Sequence, residues 1–296
     1  MKRSHAGQQR LPCIPSPLRL LTLVLACVCA CSAAHAQTQG QTTPPAGDDE
    51  DAPDFIVPAR PTASNPAEFQ RPGVLQLEYG FNGNWRAPGG ASAEDTPLAL
   101  RFAVSRRLLL EFDGDTPVSQ AGGGQRTTGA GDTQLGLQLV LQHEAASRPG
   151  VAFAYYVKLP TASADRGLGT GRVDHSLLAL VSKKSGATVF DFNAVYLLAG
   201  RTTAVGHASS AQAALAVSRN LNERVGWQGE LSGFTRNDAQ PSAAFGLGVV
   251  TYQPNRRLVF DCGLRLGLTP DAPRVGMVAG LTVGVADLYR KRAKSR

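Results

Sequence analysis

Residues 133–142 read Thr-Gln-Leu-Gly-Leu-Gln-Leu-Val-Leu-Gln. Leu135, Leu137, Leu139 and Leu141 stand two apart, with Gly136, Gln138 and Val140 between them. A period of two puts one set on each face of a strand. The pattern returns at Val151, Phe153, Tyr155, Val157 and Leu159, and again at Leu258, Phe260, Cys262, Leu264, Leu266 and Leu268. Helical i, i+3, i+4 spacing would break this alternation. The greasy face is more apolar than a half-buried strand needs, and the other face is glycine, alanine, glutamine and charge. A soluble sandwich needs a continuously apolar interior between its sheets, and buried charges of both signs need partners. Lipid on one face and a polar lumen on the other accommodates both sets.

Counting alternating runs gives twelve strands, near 74–81, 97–105, 107–113, 133–142, 151–159, 172–182, 187–198, 209–218, 223–234, 242–252, 257–268 and 274–285. An even number suits an antiparallel barrel closed by a single chain. Connections alternate in length. Those around 105–107, 183–186, 219–222 and 254–256 are tight, whereas 82–96, 114–132, 160–171 and 199–208 are long. Bacterial barrels have short periplasmic turns and long outward loops. The expected fold is therefore all-β, an antiparallel transmembrane barrel of about twelve strands in the outer membrane of a Gram-negative bacterium. Its phase puts Leu137 and Phe153 toward lipid, and Gln138, Glu78, Arg101, Glu111, Lys158, Asp174, Asp191, Glu230, Asp261 and Arg265 toward the lumen.

The barrel is expected over residues 72–289. Residues 1–36 read as a signal peptide, with Lys2, Arg3, Arg10 and Arg19 leading, a short apolar run, and Ala34-His35-Ala36 as a cleavage site. Acylation at Cys27, Cys29 or Cys31 is the competing outcome. Residues 37–71 are rich in Pro, Thr, Ala, Gly and Asp and read as a disordered periplasmic tail, with Phe55-Ile56-Val57 as a short contact at the barrel mouth. Residues 290–296 form a basic tail. The signal holds four of the 30 basic residues and none of the 23 acids, leaving 26 against 23 in the exported chain. That balance gives no argument for nucleic acid.

Gly131-Asp132-Thr133 ahead of a strand, then Lys158-Leu159-Pro160-Thr161, then Gly167-Leu168-Gly169-Thr170-Gly171-Arg172-Val173-Asp174, carry a resemblance. The stretch resembles a bacterial outer-membrane barrel family known by the MetA pathway of phenol degradation, also called a transporter family. The resemblance is most specific over 129–185. It implies a barrel more firmly than it implies phenol, and it marks Gly131, Asp132, Lys158, Pro160, Thr161, Gly169, Gly171, Arg172 and Asp174 as family-like positions.

No enzyme constellation emerges. His143, His175 and His207 lack metal-spaced partners, and no Gly-x-Ser-x-Gly elbow is present. The glycine run 167–171 lacks the Gly-Lys-Ser/Thr ending of a phosphate loop. No cofactor and no metal is implied. The expected function is a porin-like channel passing or binding small solutes, apolar or aromatic ones included, with loop 161–171 as the constriction. A structural or adhesive barrel acting through its outer loops is the alternative, and an outer-membrane hydrolase a more distant one. The partners are outer-membrane lipid, a small-molecule solute and the barrel-assembly machinery, for which Tyr289 would serve as a displaced terminal aromatic.

Overall fold

The computed structural model describes residues 54–201, 204–236 and 241–289. The signal peptide, the tail to residue 53 and the basic residues 290–296 lie outside them. Thirteen strands run in chain order among the described residues: β1 (Val74–Trp85), β2 (Ser92–Ala103), β3 (Leu108–Gly122), β4 (Gln125–Gly129), β5 (Thr133–Gln142), β6 (Gly150–Leu159), β7 (Asp174–Ser185), β8 (Thr188–Gly200), β9 (His207–Asn220), β10 (Val225–Phe234), β11 (Ala243–Asn255), β12 (Leu258–Gly267) and β13 (Val275–Asp287). Each pairs antiparallel with its neighbour, β3 with β5 below the short β4. β1 pairs with both β2 and β13, which closes twelve strands into a barrel. Closure leaves none of the twelve barrel strands with an unpaired edge, which a hydrocarbon surround demands, while the short β4 pairs with β3 alone.

The two faces invert the arrangement of a soluble protein. Leu135, Leu137, Leu139 and Leu141 are 39–54% exposed, while Gln138 between them is 1% exposed. Outside, β5 and β6 pair Leu139 with Phe153, Leu137 with Tyr155 and Leu135 with Val157. Cross-strand apolar pairs of this kind stabilise a sheet and form its lipid-facing band. Inside, Gly136 faces Tyr156 across the ladder, and a Cβ there would fall 2.2 Å from the tyrosine ring. The missing side chain is what lets the ring lie across its neighbouring strand.

Two expected loops are instead strand. β1, β2 and β3 continue past the apolar band, through residues set aside as loops 82–96 and 114–132, and β4 returns along β3. Water reaches both faces there, so no apolar alternation marks them; backbone pairing alone extends the ladders. The β3–β4 turn does carry a sequence signal, since Gly123 and Gly124 both have positive φ, 58° and 82°, as a two-residue hairpin turn requires.

The expected tail also differs. Residues 54–71 have no strand or helix, yet Phe55, Ile56, Ala59, Ser64, Ala67, Phe69 and Gln70 are buried. Phe55 and Ile56 pack on Val74 and Val259, and Phe69 packs on Ala103, Leu109 and Val140. The segment is a strap inside the barrel rather than a solvated tail. Composition missed it because its own apolar residues are few and its binding partners belong to the wall.

Because Leu137 faces outward, Leu137→Arg is expected to weaken folding by about 2–4 kcal/mol near the bilayer midplane. A denaturant titration of protein folded into liposomes measures this. Gln138→Arg, inside, is expected to leave insertion intact and loosen the strap.

Candidate functional site

The strap's backbone has no ladder of its own, so its polar groups need other partners. Inward side chains of the wall supply them. The Gln76 side chain on β1 accepts from Val57 N and donates to Val57 O, both at 2.9 Å. Glu78, two residues on, accepts from Ala59 N at 2.9 Å and Arg60 N at 3.1 Å. On β10, Glu230 accepts from Ser64 N at 2.9 Å. Asn193 on β8 accepts from Asn65 N at 2.7 Å and donates to Asn65 O at 2.8 Å. Ser182 on β7 accepts from Ala67 N, and Gln138 on β5 donates to the carbonyls of Pro66 and Ala67. The circuit ends at β2, where Gln70 Nε2 donates to Arg101 O at 2.9 Å. Arg71 N then donates to Asp54 O at 2.9 Å, joining the two ends of the strap.

Charge fixes the strap inside the barrel at two points, and Arg71 at its end pairs with Asp287. The Arg60 guanidinium donates twice to the Asp261 carboxylate, Nε and Nη2 each at 3.2 Å, and Nη2 also donates to Ala279 O at 3.0 Å. Two glycines make room for it. Gly80, Gly280 and Asp261 pair in a row across β1, β13 and β12. A Cβ on Gly80 would meet the guanidinium at 2.2 Å, and one on Gly280 at 2.5 Å. The second point is Arg101, which is fully buried. It donates to Val57 O at 2.9 Å, Glu111 at 3.1 Å and Glu78 at 3.4 Å. Tyr156 adds a donation to Glu111 at 3.3 Å.

The residues assigned to the lumen by alternation therefore divide into groups. Glu78, Arg101, Asp261 and Glu230 hold the strap directly. Asp191 holds it through its carbonyl, which accepts from Ser64 Oγ, and through its carboxylate on Ser182. Glu111 backs Arg101. Lys158 and Asp174 sit at the long-loop end. Arg265 stands apart from the strap, over the Phe245 ring. Arg60, Ser182, Ser64 and Gln70 went unnoticed in the sequence. The only local hints were the apolar triplet 55–57 and Phe69, in a segment whose prolines at 58, 61 and 66 favour extended chain.

The family-like positions meet at the outer rim. Lys158 Nζ lies between two carboxylates, 2.7 Å from Asp132 and 3.0 Å from Asp174, and donates to Thr170 Oγ1 at 3.0 Å. Asp132 also accepts from Ala162 N at 3.0 Å, and Asp174 from Gly200 N at 2.8 Å. Thr161 Oγ1 accepts from Thr133 N at 2.9 Å. Gly131 N donates to Asp115 O at 2.9 Å. Gly169 lies so close to Asp132 that a Cβ would fall 2.8 Å from its carboxylate, Gly171 has φ +64°, and Arg172 packs over Gly200. Pro160 is exposed at the start of the loop. The loop 160–173 is thus fastened to β5, β7 and the β8–β9 connection. The segment that crosses the lumen is the strap.

Breaking the Arg60–Asp261 pair should be costly, since the two side chains are 9% and 3% exposed. Asp261→Ala is expected to weaken strap docking by about 3–5 kcal/mol, because it strands a buried guanidinium. Adding Arg60→Ala to it should cause much less further loss, as a double-mutant cycle read by protease cleavage within the strap would show. At the rim, Lys158→Met leaves Asp132 and Asp174 facing each other, and faster proteolysis within loop 160–173 is the expected result.

The architecture has solved counterparts. The crystal structure of an outer membrane channel from Pseudomonas putida F1 aligns with 15% identity and a TM-score of 0.58, over 77% of this chain and 99% of that one. The NanC porin aligns with 9% identity and a TM-score of 0.48, over 71% of this chain and 98% of that one. The CymD monoaromatic hydrocarbon channel gives 10% identity and a TM-score of 0.40, over 71% and 87%. No curated protein matches the chain. At this identity the Pseudomonas structure establishes the fold, that of an outer-membrane barrel. The model of the family described as MetA-pathway of phenol degradation matches residues 59–283, beginning inside the strap and ending in the last strand, and the chain belongs to that family.

Proposed function

We propose that the protein is a passive outer-membrane channel for small solutes, narrowed toward its periplasmic end by the strap, and that passage involves no chemical step. The observation that carries this is the lumen itself. It is closed all round by strands, carries buried polar and charged side chains on its inner face, and is crossed by a segment held by side-chain hydrogen bonds and charged anchors together with small apolar clusters. A barrel meant only as a scaffold could fill its interior with side chains, as eight-stranded barrels do. Twelve strands enclose more space than that, and here wall and strap share it.

The family description supports small aromatic solutes among the cargo. Selection would rest on the charges left in the outer half, Lys158, Asp174 and Arg265, and on the width the strap leaves. Diffusion down a gradient needs neither cofactor nor catalytic residue. Lipid around the leucine band and the assembly machinery acting on the Tyr289 end complete the expected partners.

Planar-bilayer recording of the refolded protein tests the proposal. Discrete conductance steps are expected, with larger steps once Asp261→Ala frees the strap. A silent bilayer for both proteins would refute the channel and favour a barrel acting through its outer loops, with the β3–β4 hairpin foremost.

A further inference from the structure

Of the guanidinium groups on the inner side of the barrel among the described residues, those of Arg60 and Arg101 are consumed by it. Arg60 is held by Asp261 and the Ala279 carbonyl, and Arg101 by Val57 O, Glu78 and Glu111. Arg265 on β12 is different. Among the described residues it makes no hydrogen bond and no ion pair, and its one close partner is an aromatic face, with the guanidinium carbon 6.0 Å from the centre of the Phe245 ring. Phe245 in turn lies 6.2 Å from Phe234, the two rings tilted by 40°. Five N–H donors in a fixed fork are thus left unused beside two phenyl rings on an inner wall.

Register places this group at the long-loop border of the strap. Arg265 is four residues beyond Asp261 on β12, and Phe234 is four beyond Glu230 on β10, so each stands about 13 Å along its strand from a strap anchor. Both displacements run toward the long-loop end. A row of paired residues, Glu230, Leu247, Arg265, Gly276 and Asn84, crosses β10, β11, β12, β13 and β1 at the level of the guanidinium. Gly276 beside Arg265 has no side chain, and the Asn84 side chain takes that space, 2.8 Å from where a Cβ would lie. Glu230 in that row accepts from Ser64 N, so the guanidinium borders the strap, with Phe234 and Phe245 on its long-loop side.

We infer that Phe234, Phe245 and Arg265 form a solute-binding site in the outer half of the lumen, selective for an aromatic ring that carries a single carboxylate. The inference rests on the channel reading above and names the class of solute. An arginine fork takes a carboxylate through two parallel N–H···O bonds. Phenyl faces take a planar ring in offset or edge-to-face contact. The carboxylates whose charge reaches Arg265 are Glu230 and Asp95. Both are already engaged, Glu230 by Ser64 N and Asp95 by Asn82 Nδ2 at 2.8 Å. Their charge disfavours a dianion and leaves one carboxylate as the better fit. Neither simple anions nor neutral aromatics use both halves of the site.

The test is block of single-channel current by benzoate, acetate and benzyl alcohol added from the long-loop side of the full-length protein. Benzoate is expected to block at about tenfold lower concentration than either comparator, the two half-sites acting together. Arg265→Gln should bring benzoate to the level of benzyl alcohol, and Phe245→Leu should bring it toward acetate. Parental benzoate block in Arg265→Gln, or acetate as effective as benzoate in the parent, would overturn the site. If the parent carries no current, the channel reading fails, and calorimetric titration of benzoate into detergent-solubilised protein reads the site on its own. Binding lost in Arg265→Gln keeps the site; no binding by the parent removes it.

Discussion

A backbone N–H or C=O group in hydrocarbon has no water to turn to, and each one left unpaired costs several kcal/mol. The closed ladder from β1 round to β13 follows from that constraint. So does the outward leucine band, because once every barrel strand is paired on both sides the only surface left to lipid is side chain. With the outward face committed to lipid, the polar residues are confined to the interior. The fold thus depends on backbone pairing first and on apolar burial against lipid second.

The same accounting explains the strap. Its chain runs through the barrel without secondary structure, so its polar groups would be orphaned without the wall. Gln76, Glu78, Glu230, Asn193, Ser182 and Gln138 come from five different strands, and each meets the strap's backbone within one or two residues. Glu78 and Arg101 illustrate the economy. Each would be a costly buried charge alone, but they neutralise one another, lean on Glu111, and spend their remaining bonds on Val57, Ala59 and Arg60. The inner half of the lumen is therefore a binding site for the protein's own chain, and charges available to a solute are those farther out.

What could be read from the sequence follows the same division. The twelve barrel strands were legible because lipid imposes a strict rule on every second residue, as at 133–142, where the expected and observed bounds coincide. The extensions of β1, β2 and β3 were not, since residues wet on both faces obey no such rule. Alternation could say that Glu78 or Asp261 points inward, but not to what. Arg60 lies 201 residues from Asp261, and nothing local in a proline-rich stretch announces a partner so distant. At the rim, the stretches around Asp132, Lys158 and Asp174 were conspicuous as residues, while the placement of one ammonium between two carboxylates required the fold.

The central claim is that residues 54–71 dock inside the barrel of the exported protein, and cysteine cross-linking in intact outer membranes tests it most directly. Asn65 N and the Asn193 side chain are 2.7 Å apart, and the exposed free cysteine among the described residues, Cys262, can be removed as Cys262→Ser. In that background Asn65→Cys with Asn193→Cys should form a disulfide without added oxidant and resist labelling by a membrane-impermeant maleimide. Reduced cysteines, with position 65 labelled as fast as an unfolded peptide, would contradict the account.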